Sequence, residues 1–140
     1  MSKVAVVFWS GTGNTAQMAQ AVVEGATVAG AEAVLINASQ FTADDMDNYD
    51  AVAFGCPAMG AEVLEESEFQ PMFDSVESKL SGKKTGLFGS YGWGDGEWMR
   101  QWEDQVRGDG AQLVADPVTA HEAPDDTALS DCRALGRSLA

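Results

Sequence analysis

The sequence is short of positive charge. Between Lys3 and Lys79 there is no Lys, Arg or His, and eight basic residues stand against twenty-two acidic ones, a net charge of −14. Such a chain repels nucleic acid and anionic membrane, so neither is expected as a partner. Its acidity favours docking onto basic protein surfaces, or else forms a solvated, salt-adapted exterior. Cysteine is nearly absent too: Cys56 and Cys132 show no CxxC or metal-ligand spacing, and His121 is the sole histidine. That argues against zinc and for a reduced, cytoplasmic protein. No apolar run is long enough to span a bilayer, and the six apolar residues after Lys3 are too few for a signal peptide. Repeats, linkers and low-complexity tracts are missing, so 140 residues read as one domain, 1–140.

What is present alternates. Strand-like apolar runs fall at Val4–Trp9, Ala33–Asn37, Ala51–Gly55, Thr85–Gly89 and Leu113–Ala115, the last with room to extend to Thr119. Helix-like segments lie between and after them at Asn14–Val28, Glu68–Leu80, Glu97–Arg107 and Asp125–Leu139, with Gly30, Gly82 and Gly108 placed to end the first three. Within the third helix Trp98, Trp102 and Val106 share one face, which assigns them to the core. Strict alternation predicts an α/β fold, a three-layer αβα sandwich around a parallel sheet. The loops leaving the first, third and fourth strands carry unusual chemistry, whereas Ala38-Ser39-Gln40-Phe41 after the second does not. This pattern fits five strands in the order 2-1-3-4-5, with a ligand beyond their carboxyl ends at the switch point.

The first loop, Ser10-Gly11-Thr12-Gly13-Asn14-Thr15, is a strand-to-helix turn with hydroxyls, an amide and two glycines that permit close backbone approach. Backbone N–H groups at a helix start attract an anion, and here every donor to it is neutral. The third loop, Ser90-Tyr91-Gly92-Trp93-Gly94-Asp95-Gly96, suits a backbone folded round a flat molecule with Trp93 stacked on it. In the middle loop, Cys56-Pro57-Ala58-Met59-Gly60-Ala61-Glu62, Met59 can cover a ring face, Glu62 can accept from a ring N–H, and Gly60 lets the Gly60–Ala61 peptide take two orientations. Together the loops describe a phosphate cradle joined to an aromatic sandwich, a fit for a mononucleotide with a tricyclic redox-active ring.

WSGTGNT (9–15), AMGAEVLEESEF (58–69) and GKKTGLFGSYGWGDGEWM (82–99), in this order and at these distances, resemble the short-chain flavodoxins over essentially the full length. The resemblance implies a flavodoxin-like fold, non-covalently bound FMN, and one-electron transfer between redox proteins through quinone, neutral semiquinone and hydroquinone states. It places Ser10, Thr12, Gly13, Asn14 and Thr15, with Gly11 between them, on the FMN phosphate. Met59 and Trp93 would flank the ring, and Glu62 would accept from N3–H. Backbone of Ala58 and of Ser90 through Gly96 (Ser90, Tyr91, Gly92, Trp93, Gly94, Asp95, Gly96) would contact the ribityl chain and pyrimidine edge. Pro57, Gly60 and Ala61 complete the binding set, the Gly60 carbonyl turning to accept a proton gained at N5. Ala61 stands where relatives often carry a polar residue, and Pro57 has no donor to offer the phosphate.

Residues 9–16, 56–62 and 90–99 hold no Lys, Arg or His, while Glu62, Asp95 and Glu97 are nearby. Like charges oppose a second electron, so the lower of two well-separated one-electron couples is expected to be the working one. Glu62, Glu65, Glu66, Glu68, Asp74 and Glu77 run without an intervening base and form an expected docking face for basic reductases and acceptors. A monomer suits such a shuttle. No nucleophile–base pair is legible. The nearest enzyme alternative is an NAD(P)H-dependent flavin or quinone reductase, for which Gly11-Thr12-Gly13-Asn14-Thr15-Ala16 satisfies G-x-G-x-x-A. Against it, Asn37 stands where a dinucleotide site carries an acid. A phospho-receiver needs an Asp where Cys56 stands, and a P-loop NTPase needs a GK[ST] that is missing.

Overall fold

Apolar runs with no polar alternation form strands only when both faces of the sheet are covered, and that is the arrangement here. The computed structural model describes residues 2–11, 13–59, 63–92, 94 and 96–140. Strands β1 (Lys3–Phe8), β2 (Glu32–Asn37), β3 (Ala51–Gly55) and β4 (Lys84–Tyr91) pair in parallel in the order β2-β1-β3-β4. Helices α1 (Asn14–Val28), α2 (Phe69–Val76), α3 (Glu97–Gly108) and α4 (Asp126–Leu139) cover the two faces. Successive residues of one strand serve opposite cores. Ala5, Val7, Val52 and Phe54 pack with α2 and α3, and Val4, Val6, Ala51 and Ala53 pack with α1 and α4. The expected three-layer sandwich and strand order are observed. No helix among the described residues is long and apolar enough to cross a membrane.

The two cores are built differently. On the α2/α3 side, Phe54, Phe69, Phe73 and Trp102 form edge-to-face pairs with ring centroids 5.3–5.8 Å apart. Trp98, Trp102 and Val106 are buried there, as their spacing predicted. On the other side α1 and α4 meet backbone to backbone. A Cβ on Gly25 would stand 1.9 Å from the Arg133 carbonyl oxygen, and one on Gly136 would stand 2.0 Å from that of Val22. This seam fixes the C-terminal half of α1, around Val22, Gly25 and Ala26, against α4.

Apart from end shifts of one or two residues, three features differ from the expectation. The fifth strand is split into β5 (Gln112–Leu113) and β6 (Val118–His121), both paired with β4. Pro117 has no N–H to give a ladder, and the chain breaks pairing around it. The helix expected over Glu68–Leu80 is α2 followed by a 3-10 turn at Glu77–Lys79. The glycine that closes α3 is Gly110, at φ 84°, because Gly108 is still helical.

Candidate functional site

The hydrogen-bond ladder does not stop where the strands do, and its extension shapes the rim of the site. Trp9 N–H donates to Gly55 O (3.0 Å), Cys56 N–H to Phe88 O (3.2 Å), Ala58 N–H to Ser90 O (3.0 Å) and Glu122 N–H to Tyr91 O (2.7 Å). Met59 N–H donates to Val63 O at 3.0 Å. A cleft of about 430 Å³ opens at these carboxyl ends, lined by Trp9, Gly11, Asn14, Pro57, Ala58, Met59, Ser90, Tyr91, Gly92 and Glu122. Its volume is in the range of small-molecule sites, and its lining is mostly apolar with a few polar groups.

The first loop presents the start of α1. Gly13 caps it at φ 94° with no side-chain cap bond, and the first turn carries no acid. Ser10 Oγ accepts from Gly13 N–H (3.0 Å) and Ala16 N–H (3.3 Å). With both lone pairs so engaged, the Ser10 hydroxyl has its own proton left to donate to an anion. Thr15 is buried, its Oγ1 3.1 Å from Ser90 Oγ and accepting the Ser90 N–H at 3.4 Å. That pair ties the first loop to the third. Gly11 lies against Trp9, where a Cβ would approach the indole to 3.1 Å.

Of the predicted site residues, Gly11, Asn14, Pro57, Ala58, Met59, Ser90, Tyr91 and Gly92 come together in the cleft. Ser10, Gly13 and Thr15 build the adjoining loop. Gly94 and Gly96 are described at φ 84° and 90°, with Gly96 capping α3. Thr12, Gly60, Ala61, Glu62, Trp93 and Asp95 lie outside the described residues. Two lining residues had not been assigned to the site. Trp9 heads the WSGTGNT motif and carried a usable signal, whereas Glu122 is brought in only by β6 lying beside β4.

Electrostatically the cleft matches the reading of the loops: no described lining residue is Lys, Arg or His. Arg100, in the first turn of α3 four residues past the third loop, forms an ion pair with Glu97. His121 stands behind the rim with its ring 5.1 Å from that of Tyr91. Burial pushes the Cys56 thiol up to about 12. Cys56 is therefore a neutral group, accepting Glu65 N–H at 3.3 Å and donating to Pro57 O at 3.5 Å.

The acidic run after the middle loop is not uniform. Glu66, Glu68 and Asp74 are exposed. Glu65, expected among the docking acids, is instead 6% exposed and turned inward. Its Oε1 accepts from Glu68 N–H (2.7 Å) and Phe69 N–H (2.9 Å), and its Oε2 accepts from Ser67 N–H (2.8 Å) and the Ser67 hydroxyl. Burial alone would raise this carboxyl, but the hydrogen bonds from Ser67, Phe69 and Glu68 outweigh it and hold the pKa down at about 2. Glu65 is the internal anion of the α2 N-terminus.

The donor set fits a phosphorylated flat ring: neutral hydroxyls and backbone N–H at one loop, apolar and aromatic surfaces on the others. Comparison with known proteins agrees. The sequence model of the flavodoxin family matches residues 6–136. The flavodoxin of Clostridium beijerinckii is 46% identical over 135 residues, covering 96% of this chain and 97% of that one. The flavodoxin of Megasphaera elsdenii is 42% identical over 137 residues, covering 98% of each. The solution structure of two-electron reduced Megasphaera elsdenii flavodoxin superposes with a TM-score of 0.90 over 97% of both chains, at 41% identity.

Proposed function

The chain belongs to the flavodoxin family and is an FMN-binding electron carrier rather than an enzyme, and on that premise we propose how its own residues divide the work. FMN supplies the one-electron redox chemistry when bound. Ser10, Thr12, Gly13, Asn14 and Thr15 would hold its phosphate, Ser10 by its hydroxyl and the loop by backbone N–H at the start of α1. Met59 and Trp93 cover the ring, with Trp9 and Tyr91 as further apolar walls. Glu62 would accept a hydrogen bond from a ring N–H, and the Gly60 carbonyl would accept one from a protonated N5. The peptides of Pro57 to Ala61 and of Ser90 to Gly96 form the remaining contacts. Ala58 N–H and Ser90 C=O are already paired with each other, so those two groups shape the site rather than bind.

The observation that carries this reading is the α1 N-terminus itself, a turn of neutral donors opening onto an apolar cleft with no cation among its described lining residues. A phosphate held by neutral donors keeps its charge, and the nearby acids add to it. Negative charge added to the cofactor is therefore opposed, which separates the two one-electron couples and makes the lower one the working couple. An anaerobic reductive titration followed by absorbance tests it. Two resolved one-electron steps, the second at lower potential and rising with ionic strength, support the reading. A single two-electron step, or a potential indifferent to salt, contradicts it.

The same charge reading extends to partners. Glu66, Glu68 and Asp74 offer an exposed acidic face to basic reductases and acceptors, served by a cytoplasmic monomer of one domain. Exchange rates that fall with rising salt support this face.

A further inference from the structure

Glu122 is the one described cleft-lining residue that carries a charge. It is also the one described non-glycine residue with a positive φ, 61°. At the bend that follows β6 a glycine would adopt this conformation without steric cost, and Asn or Asp would tolerate it better than Glu. The chain nevertheless holds Glu there, fixing it by a 2.7 Å hydrogen bond from its N–H to Tyr91 O that carries the β4–β6 ladder one step beyond the Tyr91–His121 pair. A backbone outlier at the wall of a binding cleft points to a role for the side chain it positions.

We propose that Glu122 is a specificity-determining residue of the cleft, a carboxylate at its wall that weakens the hold on negative charge placed there, beginning with the phosphate of the cofactor. This rests on the FMN site proposed above. Glu122 is exposed, so its carboxylate repels a dianion through a partly screened interaction, and no described lining residue of the cleft is a cation that would offset it. Asn14, Ser90 and Tyr91 supply neutral polar groups to the same cleft. The affinity for FMN is accordingly a compromise between the donors of the first loop and the charge of Glu122.

The test is a fluorescence titration of the protein and of two variants with FMN at low and high ionic strength. Glu122→Gln keeps the size and removes the charge, and Glu122→Gly removes the charge and the backbone strain together. Both are expected to bind FMN roughly two- to tenfold more tightly than the parent at low ionic strength. The gain should shrink toward parity at high salt, because screening removes the repulsion it comes from. Glu122→Gly should in addition melt at a higher temperature. Unchanged or weaker binding by Glu122→Gln would overturn the proposal, as would a gain that survives high salt. Tightening confined to Glu122→Gly would also overturn it by assigning the effect to the backbone. Binding of FMN by the parent tests the site itself, whereas the ratio of variant to parent tests Glu122.

Discussion

Two helices of this protein, α1 after the first loop and α2 after the middle one, meet the same electrostatic demand in opposite ways. At α2, the free N–H groups of Glu68 and Phe69 are answered from within by the buried Glu65 carboxylate. At α1 the first turn has no acid, and the Ser10 hydroxyl accepts from the Gly13 and Ala16 N–H groups. A helix N-terminus attracts negative charge wherever it occurs. Where the chain supplies that charge itself the result is a structural cap; where it supplies neutral donors, the end is the one we propose for the phosphate.

The strongest way to break the contrast is to give α1 an anion of its own. Ser10→Asp places a carboxylate over the N–H groups of Gly13 and Ala16, and it should reduce FMN affinity by at least about a hundredfold through occupancy and like-charge repulsion. Its thermal stability should not fall below that of the parent, which distinguishes blocking from misfolding. Removing the anion from α2 is the complementary experiment. Glu65→Gln should lower stability by about 1–3 kcal/mol in chemical denaturation, since two backbone N–H groups and Ser67 lose a charged acceptor. FMN affinity should change far less.

Acid sharpens the same comparison. The Glu65 pKa is depressed from 4.5 to about 2, so its stabilisation is fully present above 4.5 and disappears as pH falls toward 2. Asp109 behaves oppositely: burial first, then a hydrogen bond and repulsion from Glu77, raise its pKa from 3.8 to about 6. Its contribution is present below 3.8 and is lost as pH rises through 6. Asp109→Asn should remove this dependence and stabilise the protein above pH 6 by roughly 1 kcal/mol, discounted for solvent screening. Denaturation midpoints measured across the acid range check both signs. The smallest expected effect is at the tie between loops: Thr15→Val should cost about 0.5–1.5 kcal/mol of stability by leaving the buried Ser90 hydroxyl without its partner. Thr15→Ser should restore most of it.

These contrasts mark what the sequence makes readable. The alternation of elements, the sheet order and the three loops follow from local patterns, because parallel strands buried on both faces need unbroken apolar runs. Trp98, Trp102 and Val106 were legible from their helical spacing, which puts them on one face of α3. Glu65 was not. In a run of acids it looks like one more solvated charge until α2 is seen to begin at Phe69. Gly25 and Gly136 lie 111 positions apart in the chain, and only the packed helices show that neither has room for a Cβ. Glu122 lies well beyond the third loop in sequence and reaches the cleft solely because β6 resumes beside β4 after Pro117 interrupts the edge.

The account turns on α1 being completed by the cofactor's phosphate, and the most direct measurement is the affinity of the protein and of Ser10→Asp for FMN and for riboflavin, which lacks that phosphate. The parent should bind FMN far more tightly than riboflavin, and Ser10→Asp should abolish the preference. Equal affinities in the parent, or a preference that survives Ser10→Asp, would contradict the assignment of the phosphate to this loop.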